Sequence, residues 1–273
     1  VSEAALNRRR HRRAARPSAG TRFLVVLAVL LSFILAGYVL AVTVVLPWLR
    51  VSRVVVQADF DMDRTALLQL AGLDGTRYFF SVDPATVAAN LESHPMIRAA
   101  EVERVFPSTV RLDLHRRRPL AVALVSRDGR SVPVALDESG TIFDAGAHLA
   151  ERDLPVLSGI GFQGNVVGST LPARVQPVLE SLHDLRISSP EIYRLISELR
   201  IEPRGAGGID VLLFTEGFPV PVRMDGAIDR DTCTYALMVL DVLAQRGEAE
   251  DVAEVDFRSG EIVYRMKEGA RGR

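Results

Sequence analysis

The residues able to do chemistry are few, and their spacing does not bring them together. The five histidines are His11, His94, His115, His148 and His183. None stands in HxH or HExxH spacing and no carboxylate cluster accompanies them, so they predict no zinc-type ligand set. Ser158, in Val156-Leu157-Ser158-Gly159-Ile160, lacks the preceding glycine of a nucleophile elbow. Gly159, Gly161, Gly164 and Gly168 do not spell a phosphate-binding GxxxxGK[ST] loop and read as flexible chain. Cys233 is the only cysteine, which excludes an intrachain disulfide and a multi-thiolate metal site. It falls among helix signals and reads as a buried, inert thiol rather than a nucleophile. Asp137, in the turn Asp137-Glu138-Ser139-Gly140, could serve as an acid, but Asp is routine in turns. Arg116-Arg117-Arg118 could hold an anion, and a solvated strand end is the default. The expectation is a protein with no catalytic site, no cofactor and no metal.

The bulk of the chain is built to fold. Its 273 residues are 48% hydrophobic and 25% charged, which suits one or two packed domains. The formal net charge of −1 is unevenly spread. Residues 1–22 carry seven Arg and one Glu, which leaves 26 basic and 33 acidic groups in the rest. That remainder has no basic surplus to suit nucleic acid. Lys267 is the only lysine.

Phe23 to Leu46 run 24 residues without a charge. At helical rise that is about 36 Å, enough to cross a hydrocarbon layer of ~30 Å with some tilt. Pro47 is expected to end the run, and Trp48 suits the headgroup layer. A buried core helix would be shorter and less uniformly apolar. A cleaved signal peptide, with Val39-Leu40-Ala41 as a loose cleavage site, would have a shorter apolar core. The arginines on the N-terminal side place residue 1 inside and residue 50 onward outside by the positive-inside bias. The basic tail could bind RNA, but it reads first as a topology signal that also meets anionic lipid.

Beyond the membrane run, Val51–Ala58 reads as a strand. Asp63 is expected to cap a helix over Arg64–Ala71 that Gly72 ends. Gly75 to Phe80 read as a loop entering an extended apolar stretch. Asp83 and Pro84 start a second helix, which His94-Pro95 stops. A hairpin follows, with Ala100, Val102 and Phe106 on one parity of residues 98–106 and Pro107-Ser108 as the turn. Val110, Leu112 and Leu114 then alternate with Arg111, Asp113 and His115. The order β-α-α-β-β describes a small sheet covered by two helices. From Leu120 strand signals dominate, with a turn at Asp128-Gly129, a loop-rich stretch over 145–170, helices at Pro172–Asp184 and after Asp229, and closing strands Val252–Phe257 and Glu261–Met266. The expected fold class is membrane-anchored α+β. Its parts are a basic tail (1–22), a transmembrane helix (23–46), the β-α-α-β-β module (51–119), a β-meander domain with two helices (120–266) and a tail (267–273).

This order of pieces resembles bacterial division proteins of the FtsQ/DivIB family. Residues 75–124 are similar to the family's POTRA module at Gly75, Phe79, Pro95, Val102, Phe106-Pro107, Arg117, Pro119 and Ala121. Leu136 to Phe143 resemble the family's entry to its β domain, Leu154 to Gly159 its LPxLxG segment, and Val255-Asp256-Phe257-Arg258 its late D-hydrophobic-R motif. One position departs: Arg116 stands where the family usually carries Glu. The resemblance implies a non-catalytic divisome scaffold at the septum that joins early and late components through FtsB- and FtsL-type single-span partners. A membrane-anchored hydrolase would need paired titratable groups in a pocket. A POTRA-bearing transport or secretion component would need a barrel or several modules.

The expected partner surface is the last strand. Arg258 stands at its entrance, and Glu261, Ile262, Val263 and Tyr264 lead along it. Ile262, Tyr264 and Met266 alternate with Glu261, Val263 and Arg265, so one face is expected on the domain and the other in solvent. Seven residues follow Met266 in the sequence, so the strand is expected at a sheet edge, open to strand addition by a partner. Late-segment contacts by FtsB-type partners in the family point to the same place. Arg258 could pair with an acidic partner residue and Tyr264 could anchor the contact. Val263→Pro is expected to abolish binding while the domain stays folded.

Overall fold

Three aspartates start helices as their positions in the chain dictate. In the computed structural model, which describes residues 19–127, 130–161 and 167–267, Asp63 accepts from the Thr65 and Ala66 amides and opens α3 (Arg64–Leu70). Asp83 accepts from Ala85 and Thr86 and opens α4 (Pro84–Glu92). Asp229 accepts from Thr232 and opens α7 (Arg230–Arg246), which ends on Gly247 in the left-handed region. The start of the basic tail, the Asp128-Gly129 turn, Gly164 and the residues after Lys267 lie outside the described residues.

The apolar run is one helical rod. α1 (Ala19–Leu40) passes through a π turn (Ala41–Val45) into α2 (Leu46–Trp48), and the span Phe23–Trp48 has a mean hydropathy of 2.8. Pro47 therefore does not end the helix at Leu46 as expected. A proline ring presses on the carbonyl four residues back and removes one amide. The wider π turn lies where that carbonyl falls, and the helix carries on, with Leu49 N–H donating to Val45 O at 3.0 Å.

β1 (Arg53–Ala58) pairs in parallel with β3 (Thr109–Arg116), which pairs antiparallel with β2 (Ile97–Val105). The order is β1-β3-β2. Val110, Leu112 and Leu114 are buried against Leu67, Val87 and Leu91 of the two helices, and Ala100 packs with them. This is the expected module, with two corrections. Phe79–Ser81 form a 3-10 turn rather than an extended stretch, because the Ser81 hydroxyl accepts from the Tyr78 amide at 3.2 Å and donates back to the Tyr78 carbonyl. Phe106 leaves the strand parity and packs on the rings of Trp48 and Phe79 in the turn.

A second, nine-stranded sheet holds the rest. Its strands are β4 (Ala121–Arg127), β5 (Arg130–Leu136), β6 (Ile142–Ala145), β7 (Val156–Ser158), β8 (Ile196–Pro203), β9 (Ile209–Thr215), β10 (Phe218–Met224), β11 (Val252–Asp256) and β12 (Val263–Met266). The order is β12-β11-β10-β9-β8-β7-β4-β5-β6. It is not the expected continuous meander. Parallel pairs β4·β7, β7·β8 and β10·β11 join three antiparallel runs, and each return carries helix or loop across the sheet. Among the described residues this part holds three α-helices rather than the expected two. α5 (Gln176–Ser188) and α7 are joined by α6 (Pro190–Leu195), which Pro190 opens and whose Ile192 and Tyr193 are buried. Leu179, Leu182, Cys233, Leu240 and Leu243 bury one sheet face with Leu199, Val211, Val222 and Val255.

β7 falls in the stretch expected to be loop. Three residues bounded by Pro155 and Gly159 give no periodicity, and the strand exists because β4 and β8 accept it from both sides. Gly159 is not a flexible spacer. Its φ is +80°, and a Cβ there would meet Ile201 O at 2.0 Å.

Candidate partner-binding edge

One face of the large sheet carries charge where the other carries the helices. Asp210, Arg223, Glu254 and Asp256 alternate with core residues on β9 to β11, so their side chains share the face opposite the helices. Arg223 donates to Glu254 through Nε at 3.0 Å and Nη2 at 3.1 Å, and to Glu202 through Nη1 at 2.9 Å. The bond to Glu254 is the main reason its guanidinium titrates above the ordinary arginine range. Asp210 also receives Arg204 at 3.1 Å and Arg258 at 2.6 Å.

Arg258 belongs to this network. Its Nε and Nη2 donate to the Asp256 carboxylate at 3.0 and 2.6 Å, and its backbone amide donates to Asp256 Oδ1 at 3.0 Å. That fork, chiefly the side-chain bond from Arg258, holds the Asp256 carboxyl below the usual carboxylate range. The cation expected to meet a partner's acid is thus engaged within the chain. It fixes the turn through Gly260 that leads into β12.

β12 stands at one end of the sheet and pairs antiparallel with β11. Glu261 and Ile262 precede the strand rather than lying in it; Glu261 is exposed and Ile262 packs on the core. Val263, Tyr264 and Met266 are 52%, 45% and 43% exposed. The expected buried face of Tyr264 and Met266 is therefore only half covered, because the strand lies at the rim of the core that the helices fill. On the opposite side Arg265 reaches Glu254 at 3.2 Å.

The ladder decides which amides look outward. Lys267 N–H donates to Asp251 O at 2.9 Å, and the register shift lies on the β11 side. Amides alternate along the regular strand, so Arg265 and Val263 face β11 and Tyr264 and Met266 face away. Val263→Pro would accordingly damage the inner ladder; Tyr264→Pro removes an outward donor instead. Nearby, α7 leaves Tyr235, Met238 and Val242 exposed, and Tyr235 stacks edge-on against Phe257 with centroids 5.8 Å apart.

Several of the other residues weighed for chemistry have structural partners. Buried Asp137 accepts from the Ser139 and Thr141 amides and from Arg117, whose Nε donates to Pro95 O at 2.9 Å. Arg117 thereby ties the small module to the large sheet. Burial pushes the Cys233 thiol up to about 12. Ser158 donates to Glu198 Oε1 at 2.6 Å, and His148 meets Asp144 at 3.1 Å. Arg116, at the departing position, binds Asp59 through its amide at 3.0 Å. Its side chain lines a cleft with His115, Arg118, His183 and Arg186. Among the described residues no group of three His, Cys, Asp or Glu could hold a metal ion.

The model of the FtsQ-type POTRA domain matches residues 49–117, the three-stranded module. The cell division protein FtsQ of Myxococcus fulvus is 25% identical over 202 residues, covering 72% of this chain and 66% of that protein. FtsQ of an Anaeromyxobacter strain is 28% identical over 193 residues, 70% of this chain and 62% of that protein. The cell division protein DivIB of Bacillus anthracis is 25% identical over 194 residues, 71% of this chain and 67% of that protein. Together these matches support the FtsQ/DivIB family for this chain. The matches extend well past the POTRA module into the large sheet, and the chain spans roughly two thirds of the length of these relatives. The chain is an α+β protein with one N-terminal helix long and apolar enough to cross a membrane, an FtsQ-type POTRA domain and a β-rich region with helices.

Proposed function

We propose that the chain is a non-catalytic divisome scaffold. It connects early and late division proteins at the septum through extracytoplasmic contacts with FtsB- and FtsL-type single-span partners. The N-terminus is cytoplasmic and the two sheets are outside, a reading supported by the arginines before Phe23. The partner adds a strand to β12. The observation that carries this is the edge itself: a terminal strand whose Tyr264 and Met266 amides face away from β11 and whose apolar side chains stay half exposed. Arg258 serves by holding the turn that presents Val263 and Tyr264, and Glu261 and Ile262 flank the entrance.

The test compares partner binding by the full chain with Tyr264→Pro and Val263→Pro. Tyr264→Pro should abolish binding while circular dichroism and the unfolding midpoint stay near wild type. Val263→Pro should lose binding together with β11–β12 pairing. Wild-type affinity in Tyr264→Pro would end the edge-strand reading and move the partner to the POTRA module. Depletion in the host should give filaments without septa; intact division with altered envelope chemistry would contradict the scaffold role and support an enzyme.

A further inference from the structure

The join between the membrane helix and the POTRA module is not a linker. Leu49 O accepts from Phe79 N–H at 2.8 Å, Val51 N–H donates to Arg77 O at 2.9 Å, and Arg50 and Tyr78 form an antiparallel bridge. The helix end is therefore stitched by backbone hydrogen bonds to the loop that carries Tyr78, Phe79 and Phe80. A chain of aromatic rings runs from the helix end across the module. Trp48 meets Phe106 at 5.2 Å, Phe106 meets Phe79 at 5.7 Å, and Phe79 meets Phe80 at 5.2 Å, each edge-on. Phe79 is buried, while Phe80, Phe106 and Trp48 are 68%, 58% and 56% exposed. Arg50 and Arg104 lie over the Tyr78 and Phe79 rings at 6.0 and 5.7 Å.

We infer that this aromatic collar is a membrane-contact surface that seats the POTRA module on the bilayer. Trp48 ends the apolar span, so its depth is that of the interfacial layer, and Phe106 touches it directly. Exposed aromatic rings gain by entering this layer, and guanidinium groups beside them reach lipid phosphates. The span of 26 residues is about 39 Å long against a hydrocarbon core of ~30 Å, so it tilts. A tilt toward the ring side lowers Phe80 and Phe106 into the headgroups. The stitched joint then fixes how the large sheet stands above the membrane.

Trp48 is the only tryptophan, so fluorescence reads the collar directly. The full chain is placed in phosphatidylcholine bilayers containing lipid spin-labelled near the headgroup. In a Trp48→Phe background, single tryptophans are introduced as Phe106→Trp, Phe80→Trp and, far from the joint, Tyr264→Trp. The collar predicts that the probes at 106 and 80 lose most of their fluorescence and emit to the blue, as wild-type Trp48 does, while the probe at 264 is unquenched. Unquenched probes at both 80 and 106 would overturn the inference. Quenching at 106 alone would overturn it too, because that probe touches the helix end. Wild-type Trp48 reports the span itself, so failure of the anchor and failure of the collar give different patterns.

Discussion

Asp137 shows how a single carboxylate can set the relation between two sheets. It is wholly buried, it closes its own turn through the Ser139 and Thr141 amides, and it holds Arg117 from the last residues of the small module. Removing one partner of a buried pair strands the other charge. Asp137→Ala should lower stability by about 3–5 kcal/mol in urea unfolding, far beyond the effect of Asp→Ala at an exposed position. A change below about 0.5 kcal/mol would mean that the pair does not join the modules. Asp256 makes a second residue-scale prediction. Its carboxyl is lowered in the folded chain, first by the Arg258 side chain, from an ordinary value of 3.8. A depressed carboxylate contributes stability above its unfolded pKa and loses it as pH falls through the folded one. Acidification below about 3.8 should therefore loosen the turn into β12, read as faster hydrogen exchange at residues 257–266. In Arg258→Ala that segment should already be loose at neutral pH and show little further change. Asp137 and Asp256 differ in how far the sequence discloses them. The Asp256–Arg258 pair sits within three residues of chain. The Arg117–Asp137 pair joins two sheets, and nothing local in either segment predicts the other.

At the scale of elements, local chemistry was readable and long-range pairing was not. The caps at Asp63, Asp83 and Asp229 each act on amides two or three residues away, so their sequence signals suffice. The alternation over 109–116 also reads correctly: Val110, Leu112 and Leu114 are buried and Arg111 is exposed. Leu112→Ala should cost about 2–5 kcal/mol, whereas Arg111→Ala, which loses only a surface pair with Glu103, should stay within about 1 kcal/mol. Equal effects on unfolding would contradict the register. β7 escaped because three residues show no period, and α6 because a six-residue helix between Ser189 and Leu195 has too few turns for a pattern. Gly159 looked like loop filler, and only the return of β8 beside it shows the constraint. Gly159→Ala should destabilise by at least about 1–3 kcal/mol, since the backbone sits in the left-handed region and the new methyl would overlap Ile201 O.

For the whole molecule, the charge distribution, the apolar run and the order of elements pointed to an anchored α+β protein of two sheets, and the structure has the two sheets and a helix long and apolar enough to be the anchor. The last strand was only half legible. The alternation from Ile262 to Met266 suggested a buried face and a solvated face, but a terminal strand receives cover only from its inner neighbour and from whatever helix reaches that far. The result is a strand with Val263, Tyr264 and Met266 all partly open, held in place from below by Arg258 and Arg265. The proposed orientation, with the arginines before Phe23 inside, predicts that a reporter active only outside the cytoplasm, fused after Arg273, is active. The proposal that the chain acts by accepting a partner strand at β12 is tested most directly by amide hydrogen exchange of the full chain with and without an FtsB-type partner. Strand addition predicts new protection at Tyr264 and Met266, whose amides face outward, with little change at Val263 and Arg265, already bonded to β11. Unchanged exchange at Tyr264 and Met266 in a saturated complex would contradict it.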